Sequence, residues 1–254
     1  MCTASWWFGN DGRYELFFNR DEQKSRSPAH APQSFSRCGT AFLAPIDADG
    51  EGSWIATNDF GISVCLLNHH PAPEPNNPLP TRPAPSRGHL VLLGAVAPTV
   101  NDTLDRIALH DLGRYRPFKL LALGPDRDIG LLTWNGRRLE RTFAPVNAPC
   151  TSSSFQSAMV ICERQRRFAL LATGVVPGTR PPLEMFHDQH DPSTSASSVL
   201  MNRPDACTVS QVRIRVSPES ATMEYRDIRW APGANKTPFV ISQLQLRPAL
   251  ALAS

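Results

Sequence analysis

The second residue of the chain is a cysteine, and its position allows chemistry that an internal cysteine lacks. Because the side chain after Met1 is small, we expect Met1 to be removed and Cys2 to become the first residue. Its α-amine has a reference pKa of about 7.7–8.0 and is therefore partly neutral near pH 7. Such an amine can take the proton of the thiol on the same residue, so Cys2 is a candidate nucleophile. Otherwise Cys2 is a small residue in a buried strand.

The tetrapeptide Asn19-Arg20-Asp21-Glu22 gives this cysteine possible partners. Aromatic-rich runs at residues 2–8 and 13–19, separated by Gly, Asn and Asp, are typical of a β-hairpin. In such a hairpin Arg20 and Asp21 lie near the chain start. A guanidinium there lowers the pKa of a thiol and binds a carboxylate or oxyanion, and a carboxylate can hold an amine.

The pattern Met1-Cys2-Thr3, then a hairpin, then Asn19-Arg20-Asp21-Glu22 resembles the NRDE family, also called the transport and Golgi organisation protein two family. A second block extends the resemblance through about the first 70 residues. It consists of Gly52-Ser53-Trp54-Ile55-Ala56, Gly61 and Leu67-Asn68.

The same N-terminal pattern is similar to the choloylglycine hydrolase and penicillin V acylase group of N-terminal-nucleophile hydrolases. This resemblance implies a four-layer αββα fold and cleavage of a non-peptide amide. It implies that Cys2 is the nucleophile, that Arg20 and Asp21 hold the substrate and the α-amine, and that Asn68 contributes to an oxyanion hole. Asn19, in the same tetrapeptide as Arg20, is a candidate substrate-binding residue.

The sequence departs from those hydrolases at two positions of their pattern. They place a further asparagine after a strand in the middle of the chain, where this chain has serines, and Ser152 and Ser153 are the candidate substitutes. They also use a late arginine, for which Arg167 and Arg203 are both candidates. Asp205, close to Arg203, is the last candidate substrate-binding residue.

The periodicity of apolar residues predicts blocks of strands and blocks of helices rather than alternating βαβ units. We therefore expect an α+β fold, in one domain over residues 1–254. Helices are predicted at 86–96, 101–110 and 155–172, and loops at the proline-rich 71–85 and the polar 174–198. Beyond the first hairpin, strands are predicted at 53–58, 62–68, 118–123, 129–134, 138–143, 207–216, 223–230 and 239–246.

Composition excludes several classes of function. The chain has 26 Lys and Arg against 23 Asp and Glu, a net charge of +3 with no dense basic block, so we expect no nucleic-acid partner. The longest apolar run, Leu90 to Ala97, is far below the roughly 20 residues of a membrane-spanning helix. The start of the chain lacks the basic region of a signal peptide. Six dispersed cysteines without a CxxC pair indicate free thiols in a reducing compartment, and we expect a cytoplasmic protein.

The remaining signals are weaker. His187, His190 and Asp191 have no third ligand at metal-site spacing, no phosphate-binding glycine motif is present, and we expect no metal or cofactor. His69-His70 either contacts a haem-like ligand or ends a strand. The charged run 163–167 is interpreted as the solvated face of a helix.

These observations predict an N-terminal-cysteine amidohydrolase or acyltransferase that acts on a small non-peptide amide through an acyl-cysteine. The alternative is a non-catalytic protein that binds or carries haem or a lipid-like ligand. In both cases the partner is a small molecule, a substrate or a haem-like ligand.

Overall fold

The computed structural model describes residues 2–71, 84–142, 149–173, 179–228, 230 and 237–247. Most of the predicted 71–85 loop, the start of the predicted 174–198 loop, and single positions in the strands predicted at 138–143 and 223–230 lie outside the described residues.

Thirteen described strands form two antiparallel sheets. The first sheet has the order β10-β1-β2-β11-β12-β13 and the second the order β3-β4-β5-β6-β7-β8-β9. The strands are β1 Cys2–Phe8, β2 Tyr14–Gln23, β3 His30–Arg37, β4 Thr40–Ile46, β5 Ile55–Asn58, β6 Ser63–Asn68, β7 Phe118–Leu123, β8 Ile129–Trp134, β9 Leu139–Thr142, β10 Cys150–Ser152, β11 Ala206–Val216, β12 Ser220–Asp227 and β13 Val240–Gln245.

Four α-helices accompany these sheets in the described residues, together with two short 3-10 turns. None of these helices is long and apolar enough to cross a membrane. The helices are α1 Gly88–Gly94, α2 Val100–Ala108, α3 Ser157–Thr173 and α4 Leu183–His187.

The two sheets pack face to face around a central apolar core. Residues spaced by two along β1 and β2 supply one side of it, because alternate side chains of a strand point to the same face. The second sheet supplies the other side through residues such as Leu43, Cys65, Leu67 and Leu121. Cys2 belongs to this central core, so its side chain lies between the sheets.

Helices cover both outer faces. The outer face of the second sheet packs on α1 and α2 through Val64, Leu120 and Leu132. The outer face of the first sheet packs on α3 and α4, with Phe17 against Phe168. The order of layers is helices, sheet, sheet, helices, and the predicted α+β, four-layer αββα fold is confirmed.

Three strands were missed by the sequence pattern. β3 has the sequence HAPQSFSR, which contains a proline and shows no apolar alternation, because it is a largely exposed edge strand. β4 is buried on both faces and therefore lacks the apolar–polar alternation of a half-buried strand. β10 has only three residues.

The prediction of a loop over residues 174–198 was wrong in its middle, where α4 begins at Leu183. This helix has five residues, too few for a helical period to emerge from the sequence. Contacts with other elements stabilise this helix: the ring of His187 stacks on Phe17 at 4.4 Å between centroids, and Phe186 packs edge-on against Phe168.

Candidate active site

Cys2 lies near the edge of the first sheet, on a strand paired on both sides. β1 pairs with β2 and β10, and Cys2 is directly opposite Arg20 on one side and Ser152 on the other. Directly opposed residues project their side chains to the same face. The predicted hairpin therefore brings Cys2 and Arg20 together, as expected.

These residues open into a large cavity of about 1580 Å³ at one end of the sandwich. Cys2, Arg20 and Asp21 line it from the first sheet, and Trp54 and Asn68 line it from the second. Only 7% of Cys2 is exposed. A volume of this size is ample for a small-molecule ligand.

The backbone nitrogen of Cys2 donates a hydrogen bond to Ser152 Oγ at 3.1 Å. If Met1 is removed, the same nitrogen becomes the α-amine of the chain, so Ser152 would then contact that amine. One residue further along, Thr3 Oγ1 lies 2.9 Å from Thr151 Oγ1 on the opposite face of the sheet. Ser152, a predicted site residue, thus touches the main chain of Cys2.

Arg20 is fixed in place by two carboxylates and an aromatic ring. Its guanidinium pairs with Asp47 and, at 3.3 Å, with Glu22. It also lies 4.4 Å from the centroid of the Trp54 ring, within range of a cation–π contact. Nothing in the sequence relates Asp47 to Arg20, so Asp47 was not predicted as a site residue.

Although Asp21 borders the cavity, its side chain points away from Arg20, into the layer between the first sheet and α3. Its carboxylate lies 3.5 Å from the guanidinium of Arg164 and accepts a hydrogen bond from Thr208 Oγ1 at 2.7 Å. Arg164 also donates to Thr3 Oγ1 and to the carbonyl of Ser198, both at 2.7 Å. This cluster lies directly behind the strand that carries Cys2.

The interpretation of residues 163–167 as a solvated helix face was wrong for Arg164, which is completely buried. Its neighbours Arg166 and Arg167 do pair with Glu163 toward the surface. One inward arginine in a charged run cannot be recognised without knowing that a buried carboxylate faces it.

Burial raises the pKa of the Cys2 thiol above its usual value, because the thiolate is poorly solvated there. The positive charge at the chain's N-terminus is the largest effect that lowers this pKa. The Asp21 carboxylate raises it further, while the Asp21 backbone N–H and, least, the Arg20 guanidinium lower it. The expectation that Arg20 gives Cys2 a low pKa was therefore wrong in its net result, although the direction of the Arg20 effect was correct.

The other predicted site residues divide into two groups. Asn68, Arg203 and Asp205 line the cavity. Asn19, Ser153 and Arg167 are not among the described residues that line it.

Each residue of the second group is engaged elsewhere. Asn19 donates to the carbonyls of His187 and Val199 beneath the sheet. Ser153 Oγ contacts the backbone of Phe155, and Arg167 pairs with Glu163 on α3.

The two histidine signals differ in placement. His69 and His70 line the cavity together with Cys2. His187 is buried against Ser5 and Asn19, while His190 contacts the carbonyl of Leu200. Within the described part of the chain, no three His, Cys, Asp or Glu side chains converge as a metal site.

Comparison with known proteins places this chain in a family. The sequence profile described as "Transport and Golgi organisation 2" matches residues 1–164. The chain belongs to the transport and Golgi organisation 2 family. No curated protein sequence matches the chain significantly.

Solved structures similar to this family member are N-terminal-nucleophile hydrolases. Penicillin V acylase from Agrobacterium tumefaciens has a TM-score of 0.53 at 12% identity, covering 89% of this chain and 86% of that one. A mutant of conjugated bile acid hydrolase from Clostridium perfringens has a TM-score of 0.55 at 11% identity, with 96% and 92% covered. The Caenorhabditis elegans ortholog of N-acylethanolamine-hydrolyzing acid amidase has a TM-score of 0.58 at 13% identity, with 84% and 92% covered. These likenesses show the N-terminal-nucleophile hydrolase fold.

Proposed function

We propose that this member of the transport and Golgi organisation 2 family cleaves a small non-peptide amide, with Cys2 as the nucleophile. The observation that carries the proposal is the position of Cys2 on an inner strand, at a large cavity and directly opposite Arg20. The similar structures act on such bonds, as their names state for penicillin V acylase and the acid amidase.

The first step is a proton transfer from the thiol to the amine of the matured N-terminus. With Met1 gone, the Cys2 nitrogen is an amine whose partner is Ser152 Oγ. The neutral amine takes the thiol proton, and the sulfur attacks the carbonyl carbon of the substrate. Because burial raises the thiol pKa, the thiolate forms mainly as the substrate binds and reacts.

The tetrahedral intermediate collapses when the carbon–nitrogen bond breaks. The ammonium of Cys2 returns its proton to the leaving nitrogen, and an acyl-cysteine remains. Water, deprotonated by the same amine, then attacks the thioester, releasing the acid and the thiol. An amine in place of water would make the reaction an acyl transfer.

The residues around Cys2 take three roles in this proposal. Asn68 and a backbone N–H stabilise the oxyanion, a type of contact worth about 10²–10³ in rate. Arg20 orients the bound substrate, since Asp47 and Trp54 hold its guanidinium at the cavity wall. Arg164 takes the place of the late arginine, because it fixes Asp21 beside the nucleophile.

A mass spectrometric experiment tests the proposal. The purified protein, which should begin at Cys2, is mixed with N-acylethanolamine, penicillin V and glycine-conjugated bile acid, quenched in acid and measured intact. The expected result is an acyl adduct that maps to Cys2, with free amine released in solution. The Cys2→Ser variant is the matched control, because it keeps the size of the side chain and loses the thiolate.

A protein that retains Met1 in nearly all molecules would contradict the amine mechanism. An adduct that also forms on Cys2→Ser would contradict the assignment of the nucleophile.

The second candidate function is binding of a haem-like ligand without catalysis, and one observation favours it. His69 and His70 line the same cavity as Cys2, and burial lowers the pKa of both, to about 4 for His70. Neutral imidazoles of this kind can ligate iron. In this case a Soret shift should appear on haem addition and weaken in His69→Ala/His70→Ala, whereas a spectrum of free haem throughout would remove the candidate.

For either function the proposed location is the cytoplasm, since all six cysteines are unpaired.

A further inference from the structure

Charges around the cavity are distributed unevenly. On the side of the first sheet and its adjoining loops, arginines are neutralised: Arg20 and Arg26 share Asp47, and Arg203 pairs with Asp205. On the side formed by the entry to α1 and the approach to β7, the cavity is lined by Arg87, Arg114 and Arg116.

These three arginines have no carboxylate partner within ion-pair distance among the described residues. Arg87 is half-buried, and its guanidinium donates to the carbonyl of Pro117 at 2.8 Å, immediately beyond Arg116. Arg114 and Arg116 are exposed at the mouth. Burial and the neighbouring charge of Arg116 lower the pKa of Arg87, so the two cations repel one another.

A cluster of this kind has a physical use. Three guanidiniums without an ion-pair partner in the described part of the chain lie on one concave wall and give that side of the cavity a positive potential, although Glu22 across the cavity also acts on Arg87. A planar guanidinium binds carboxylate and phosphate oxygens through paired hydrogen bonds. The cluster is also within electrostatic reach of the nucleophile, because a Cys2 thiolate raises the pKa of Arg87.

We propose that Arg87, Arg114 and Arg116 form a subsite for an anionic group, a carboxylate or a phosphate, on the molecule that occupies the Cys2 cavity. The subsite rests on the proposed function, because that function makes the Cys2 cavity the place where substrate binds. It adds the class of substrate, an amide with a negatively charged group away from the carbonyl under attack.

Two alkylating reagents of nearly equal size test the subsite without requiring catalysis. Iodoacetate is an anion and iodoacetamide is neutral, and both alkylate the Cys2 thiol. The ratio of their rates at Cys2, measured by peptide mapping, reports the preference for an anion in the cavity. The variant Arg114→Gln/Arg116→Gln removes two exposed charges, and Arg106→Gln, on the exposed face of α2, is the matched control.

The double variant should lower the iodoacetate-to-iodoacetamide ratio by about 3- to 10-fold, because a focused potential raises the local anion concentration by at least that factor. Added salt should bring the iodoacetate-to-iodoacetamide ratio of the native protein closer to that of the double variant, because salt screens the arginine charges. Arg106→Gln should leave the ratio unchanged. An equal ratio in the double variant and the native protein would overturn the proposal.

Protection of Cys2 distinguishes the two sources of the anion. Adipate should slow alkylation by iodoacetamide more than the neutral adipamide if the group is a carboxylate, and pyrophosphate should do so if it is a phosphate. Equal protection by all three would contradict the subsite.

If neither reagent alkylates Cys2, the proposed function fails separately from the subsite. Tryptophan fluorescence of Cys2→Ala, titrated with adipate, adipamide and pyrophosphate, then shows whether the cavity prefers an anion, since Trp54 lines the cavity.

Discussion

At the scale of single residues, the pKa of the Cys2 thiol reflects opposing effects. Burial disfavours the thiolate, while the positive charge at the chain's N-terminus and, to a smaller extent, the guanidinium of Arg20 favour it. The net pKa is raised, so the Cys2 thiol is protonated near neutral pH. A buried thiol of this kind is protected from stray oxidation. In the proposed mechanism it depends on its own amine to become reactive.

Replacing Arg20 should therefore slow the alkylation of Cys2. Because Arg20 lowers the pKa of the thiol, Arg20→Gln raises that pKa and shifts the rise of the rate with pH to higher pH. The measurement is the rate of iodoacetamide labelling at Cys2 between pH 7 and 10. It uses a Cys38→Ser/Cys162→Ser background, since those two cysteines are exposed and would compete. Arg13→Gln, at an exposed ion pair, is the control, and an unshifted profile in Arg20→Gln would refute the electrostatic role.

The buried His187 should make the protein sensitive to acid. Burial lowers the pKa of His187 to about 3, against 6.5 for the unfolded chain, so between these values the unfolded state binds one more proton. The contribution of His187 is fully present above pH 6.5. It falls by about 1.4 kcal/mol per pH unit as the pH is lowered toward 3.

Urea unfolding of the native protein, His187→Gln and His89→Gln from pH 7.5 to 4.5 measures this contribution. The loss of stability per pH unit should be smaller in His187→Gln. The exposed His89 is the control, and its replacement should leave the pH dependence unchanged. Parallel pH curves for the native protein and His187→Gln would be inconsistent with a buried, neutral imidazole.

At the scale of elements, one buried ion pair joins α3 to β2, the strand that pairs with the strand of Cys2. Arg164 on α3 reaches Asp21 on β2, and both side chains are completely buried. Through this pair, α3 can set the position of the main chain near Cys2. The helix therefore positions residues of the candidate site in addition to covering an apolar face of the sheet.

Breaking this pair should destabilise the protein strongly. Asp21→Asn or Arg164→Met leaves one uncompensated buried charge, at a cost of about 3–5 kcal/mol in the free energy of unfolding. The double variant should be less destabilised than the sum of the two, because neither charge then remains. Chemical denaturation of all four proteins gives this coupling energy, and Arg166→Met, on the exposed face of α3, is the control. Strictly additive losses would show that Asp21 and Arg164 do not interact.

The approach of α1 to the second sheet depends on two glycines in contact. A Cβ atom placed on Gly52 would lie 2.5 Å from the backbone carbon of Gly88, and one on Gly88 would lie 2.8 Å from the nitrogen of Ser53. Both glycines line the cavity. Close main-chain packing here sets the shape of one wall of the candidate active site.

At the scale of the whole molecule, this contact predicts how the cavity responds to a single methyl group. Gly88→Ala must move α1 away from the segment before β5, at a cost of about 1–3 kcal/mol in stability. The moved wall should also lower the rate of adduct formation at Cys2. Gly113→Ala is the control, since its Cβ would meet its nearest neighbour at 3.4 Å. Equal melting temperatures and equal adduct rates for the two variants would argue against a contact that sets the wall.

Local sequence determined a large part of this architecture. The hairpin of β1 and β2, the strands from β5 to β8 and the helix α3 follow from apolar periodicity and turn residues, which are properties of neighbours in the chain. The same local pattern placed Cys2 opposite Arg20, since the register of a hairpin is fixed by its turn.

Tertiary structure alone decided which polar residues serve the cavity and which serve the core. Asn19 and Arg20 are adjacent, yet alternation along β2 sends one beneath the sheet and the other into the cavity. Arg164 lies in a charged run with the exposed Arg166, and only the approach of Asp21 from a distant strand makes it a buried partner. The contacts of Arg20 with Asp47 and of Cys2 with Ser152 also join segments far apart in the chain, and their energies depend on distances that no local pattern contains.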